Sequence, residues 1–136
     1  MLYKEKTGRG RIKYDENIIG AIARRAIAGT GGRAAPSDAK GRQIKGEGVS
    51  GAADDTIVDA AFADGALSAK MYILVRFGSS ISKVCEDIDR DFRAAVPGVI
   101  GAEVGELTIV VKGLLSKNVS KRNIEVKTYA GDTPGN

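Results

Sequence analysis

The chain has 136 residues, 43% of them hydrophobic, with 5% aromatics and no Trp. That length falls in the single-domain range, and the core must therefore be built from Ile, Val, Leu and Ala. With no His and one Cys, neither a structural zinc site nor a Cys-His nucleophile can be assembled, so the commonest metal and acid–base chemistries are excluded.

The net charge of +4 is unevenly spread. Residues 1–46 carry 11 Lys/Arg against 4 Asp/Glu, and residues 47–136 carry 10 against 13. A basic N-terminal third is compatible with nucleic acid, an anionic membrane surface or an acidic partner, although a solvated basic face is the commoner reason for such a charge excess.

Residues 1–9 read as a basic flexible arm, and Gly10 to Tyr14 as a short strand. Asp15 is a good N-cap, followed by Glu16 where the helix dipole favours an anion. A helix is expected to about Ala28, with Ile18, Ile19, Ile22, Ala23, Ala26 and Ile27 on one face and Gly29 stopping it. Residues 29–53 hold seven Gly and few bulky apolar groups, so the composition predicts a long flexible loop.

Thr56 to Phe62 and Leu67 to Phe77 read as a hairpin around the Asp64-Gly65 turn. Alternation places Met71, Ile73, Val75 and Phe77 inward. Ser79 or Ser80 caps a second helix, whose apolar stripe is Ile81, Val84, Cys85, Ile88 and Phe92. Pro97 and Gly98 are expected to end it. Leu107 to Leu114 supplies a long strand with Leu107, Ile109 and Val111 on one face. Residues 116–136 form a tail in which 123–129 alternates well enough to serve as an edge strand. The order β-α-β-β-α-β predicts an α+β two-layer sandwich, with two helices on one face of a mainly antiparallel sheet. One domain spans 10–115.

The run from Tyr72 to Leu114 joins an alternating strand ending in aromatic-Gly, a helix opening polar-Ile-x-x-Val, and a closing strand ending in Gly-Leu. Together with Gly10-Arg11-Ile12, Asp15, Ile18-Ile19 and Ile22-Ala23, it resembles the alkaline shock protein family, the general-stress and envelope stress response proteins of Gram-positive bacteria. The resemblance covers about two thirds of the chain. The junction after the first helix is normally shorter in that family. The resemblance implies a non-enzymatic scaffolding protein that is cytoplasmic and self-associating. It further implies recruitment to the inner face of the membrane by a membrane-anchored partner.

No side chain pattern argues for catalysis. Ser80-Ile81-Ser82-Lys83 matches S-x-x-K, but the companion S-D-N and K-T-G elements are missing, so Ser80 is read as a cap. Asp87, Asp89 and Asp91 point to different sides of a helix and read as a solvated face, with Glu86–Arg90 and Asp89–Arg93 as i,i+4 pairs. Cys85 belongs to the apolar stripe. Neither a cofactor nor a metal ligand set is expected. Gly29-Thr30-Gly31-Gly32 followed by Arg33 matches the G-x-x-G of a K-homology RNA-binding domain. Arg9, Arg11, Arg24, Arg25 and Arg33 therefore form a candidate interaction patch, and an RNA- or DNA-binding module is the alternative function. The opening M-L-Y-K-E-K-T has no apolar signal region, and no apolar run reaches the roughly 20 residues of a membrane span.

Overall fold

In the computed structural model, residues 2–7, 10–44, 57–115 and 121–128 are described. Strands β1 (Leu2–Thr7) and β2 (Gly10–Tyr14) form an antiparallel pair. Helix α1 (Glu16–Ala28) follows, then β3 (Ala34–Pro36), β4 (Val58–Ala63) and β5 (Ala66–Arg76). Helix α2 (Ile81–Ile100) leads to β6 (Val104–Leu115) and β7 (Lys121–Thr128). The main sheet has the order β3-β5-β6-β7, with β4 also on β5. Among the described strands only the β5–β6 pairing is parallel, as expected where a helix crosses between the two strands. The fold is the two-layer α+β sandwich that the order of elements predicts.

The core lies between the helices and one face of this sheet. Ile19, Ile22, Ala23, Ala26 and Ile27 of α1 meet Val84, Cys85, Ile88, Phe92 and Val96 of α2 there, over Met71, Ile73 and Val75 of β5 and Leu107, Ile109 and Val111 of β6. Asp15 caps α1 by accepting from the backbone N–H of Asn17, and Ser80 caps α2 by accepting from that of Lys83. The β4–β5 turn places Asp64 at φ 52° and Gly65 at φ 79°, the left-handed pair that a tight two-residue hairpin requires.

Five expectations need correction. Residues 2–7 of the supposed arm pair with β2 rather than remaining free, while residues 8 and 9 lie outside the described residues. The supposed loop is built through residue 44. Thr30 and Ser37 are buried, β3 pairs with Ile73–Val75, and Asp38 accepts from the backbone N–H groups of Lys40 and Arg42. Side-chain hydrogen bonding here replaces the apolar burial that composition lacked. Residues 45–53 lie outside the described residues.

Pro97 does not end α2, which continues to Ile100 and stops at Gly101 with φ 68°. Val96 and Ile100 extend the Phe92 stripe and are buried. Burying two aliphatic side chains is worth about 3–6 kcal/mol, at least matching the roughly 3 kcal/mol that an internal proline costs. Phe77 is 69% exposed rather than inward. The chain turns there, through Gly78 at φ 93°, and strand alternation no longer governs its direction. Finally, Asp87 and Asp89 are buried rather than solvated, and Arg90 turns to Asp87 and Asp91 rather than to Glu86.

The tail supplies β7, which pairs antiparallel with β6 so that Ile124 stands opposite Val111 and Val126 opposite Ile109. Tyr129 lies outside the described residues.

Candidate functional site

Among the described residues, two groups of partly buried charges act as clamps that hold secondary-structure elements together. Just past α1, Gly31 and Gly32 adopt φ 68° and 89°, turning the chain back so that Thr30 can staple it. The Thr30 hydroxyl donates to the carbonyl of Ile27 at 2.7 Å and accepts from the backbone N–H of Ala34 at 3.1 Å. Arg33 then donates through Nε to the carbonyl of Thr30, at 2.8 Å, and through Nη2 to Oδ2 of Asp87, at 2.6 Å. Lys83 at 3.1 Å and Arg90 at 3.2 Å approach the other carboxylate oxygen. Hydrogen bonds from Arg33 and Lys83 hold the Asp87 carboxyl down at about 2, outweighing the upward push of burial. In the second clamp, Arg93 donates to Asp89 at 2.9 Å and to the carbonyl of Val104 at 2.7 Å, tying α2 to the start of β6.

These contacts place the five candidate arginines. Arg33 is committed to Asp87 and leads into β3, so the G-T-G-G turn does not join two helices as a K-homology loop does. Arg11 stands in β2 opposite Lys6, and Arg9 lies outside the described residues. Arg24 is half-buried on α1, while its neighbour Arg25 is exposed. The structure thus brings Arg24 and Arg25 together on one helix and separates Arg33 from them functionally. Sequence reasoning missed Asp87 as a hub because its main partner lies 54 residues away. The one available signal was an Asp flanked by Lys83 and Arg90 at helical spacing.

Arg25 borders a groove of about 330 Å³ between the helices, lined also by Ile22, Ala26, Asp91, Ala95 and Val99. The helices run in opposite directions, since Gly29 lies beside Asp91 whereas Ile22 shares the groove with Ala95 and Val99. Val99 is 54% exposed, and Ile18, one turn before Ile22, is 38% exposed. A second concavity of about 360 Å³ is lined by Asp59, Ala60, Ala61, Ser68, Ala69, Lys70, Glu106 and Thr108. Among the described residues no group of three or more Asp, Glu or Cys converges as a metal site.

Cys85 is fully buried, and its thiol is pushed up to about 11, by burial first and by the nearby Asp89 charge second. A thiol so placed carries almost no thiolate at neutral pH. Native protein should therefore react with a thiol reagent such as Ellman's reagent only at the rate of unfolding. Stoichiometric labelling within seconds under native conditions would contradict this burial.

No helix among the described residues is long and apolar enough to cross a membrane. No curated protein and no solved structure matches the chain. The sequence model of the alkaline shock protein 23 family, described as having a cell envelope-related function, matches residues 4–116, so the chain belongs to that family and to its envelope-related role.

Proposed function

We propose that this chain is a non-enzymatic scaffold of the envelope stress response, cytoplasmic and self-associating. In this reading a membrane-anchored partner holds it at the inner face of the membrane. The observation that carries the reading is how the interior charges are used. Asp87, Asp89, Arg33 and Arg93 serve packing, while exposed apolar side chains border a groove between the helices. Such a surface suits protein contact better than chemistry on a small molecule. The basic N-terminal third, with Arg24 and Arg25 as its described helical portion, would orient the domain towards an acidic partner or an anionic surface.

Light scattering of the purified chain should give a mass above that of the monomer. The same protein should show no retardation of RNA or duplex DNA at physiological salt. A monomer that binds RNA at micromolar concentration, with a log–log salt slope of about −0.7 per neutralised phosphate, would replace this reading if binding vanished in the Arg24→Glu/Arg25→Glu double variant. The nucleic-acid alternative would then stand.

A further inference from the structure

We propose that the groove between α1 and α2 is the surface through which two copies of this chain dock, about a two-fold axis, with Arg25 of each copy meeting Asp91 of the other. The inference rests on the self-association proposed above and gives it an address.

Self-complementarity points to a second copy as the occupant. A two-fold interface brings one patch against itself, so every group on it must find its match on that same patch. This groove meets the condition. Its floor and walls are the apolar Ile22, Ala26, Ala95 and Val99, and its polar members are one cation and one anion. The two small alanines leave room beside the projecting Val99, which suits interdigitation with a copy of itself.

Among the described residues of one copy, neither charge has an adequate match. Arg25 is exposed and makes no ion pair among the described residues. Asp91 has only a long contact to Arg90, 3.3 Å from Nε to Oδ1, and Arg90 is itself divided between Asp91 and Asp87. The other oxygen of Asp91 faces the end of α1, where a Cβ placed on Gly29 would lie 3.1 Å away. That is the C-terminal end of the helix, whose unpaired carbonyls disfavour an anion. An incoming guanidinium relieves this repulsion. Docking supplies one to the Asp91 of each copy, while covering Val99.

The test is a set of charge exchanges on the full chain, read by light scattering and sedimentation. Arg25→Asp alone and Asp91→Arg alone each place like charges across the axis, and each should weaken assembly by at least about tenfold. The double variant Arg25→Asp/Asp91→Arg restores opposite charges with the roles exchanged, and should recover to within a few-fold of the parent. Val99→Glu should leave a monomer. All these positions are solvent-accessible, so melting followed by circular dichroism should show each variant folded. Assembly that ignores all four variants would overturn the groove as the interface while leaving self-association standing. Loss of assembly in both single variants without recovery in the double would also overturn the paired geometry. A wild-type chain that stays monomeric would remove self-association along with this interface. Equal assembly of Val99→Glu and parent, with loss of binding to some other protein, would give the groove to a different partner and overturn the proposal.

Discussion

Replacing Phe92 with Ala should destabilise the domain by about 3–5 kcal/mol, within reach of the entire stability of a domain this size. Phe92 is fully buried and is the largest such side chain among the described residues. It sits at the middle of α2, where the helix layer meets both α1 and the sheet, so its removal opens a cavity that neighbours on three elements would have to fill. Because Ile88 and Val96 flank it on the same stripe, with both fully buried, little slack remains for collapse. Urea denaturation of the variant against the parent measures the effect directly. A loss below about 1 kcal/mol would mean that the helix does not cover the sheet as described.

Removing Asp87 should produce the second largest effect, about 1.5–3 kcal/mol for Asp87→Ala, the range for hydrogen bonds to charged groups. Three cations approach this carboxylate, but they do not contribute equally. The side chains of Lys83 and Arg90 are 55% and 62% exposed, whereas those of Arg33 and Asp87 are 34% and 10% exposed. Solvent screens the first two pairs, so most of the coupling belongs to Arg33. The pH dependence has a definite sign. The carboxyl titrates at about 2 when folded, against 3.8 as the ordinary value. The unfolded chain therefore takes up the proton first as pH falls, and the stabilisation present above pH 4 is lost towards pH 2. The gap in stability between parent and Asp87→Ala should accordingly be widest at neutral pH and shrink on acidification through that window. A gap of constant size from pH 7 to pH 2.5 would show that the pair is not coupled in this way.

The features legible in the sequence were those written in local periodicity. The stripe Val84, Cys85, Ile88, Phe92 marked α2, the alternation Met71, Ile73, Val75 marked β5, and Asp64-Gly65 marked the turn between β4 and β5. Each depends on residues within a few positions of one another, where a period of 3.6 or 2 is set by backbone geometry alone. What was not legible involved either long-range pairing or competition between terms. Nothing near Asp87 announces Arg33, and a proline reads as a stop unless the burial of Val96 and Ile100 beyond it is known. The stretch from Gly29 to Ile44 misled because its order rests on Thr30, Arg33 and Asp38 bonding to backbone. Composition counts such residues as signs of disorder. The candidate patch suffered similarly: Arg24, Arg25 and Arg33 are close in sequence, but one of the three is spent on an internal clamp.

Strands β3 and β4 lie end to end along the same side of β5, opposite residues 73–75 and 66–71. Between them Tyr72 serves both neighbours, its N–H donating to the carbonyl of Ile57 and its carbonyl accepting from the N–H of Ser37. The sheet thus treats the two segments as a single edge strand cut at one point, with the Gly-rich stretch spliced into the cut. Anchored on both sides of Tyr72, that splice can grow or shrink without shifting the register of anything it joins. Closing a loop twice as long would cost only about 0.6 kcal/mol, so the cut is a place where evolution or an engineer can insert sequence at little risk to the domain.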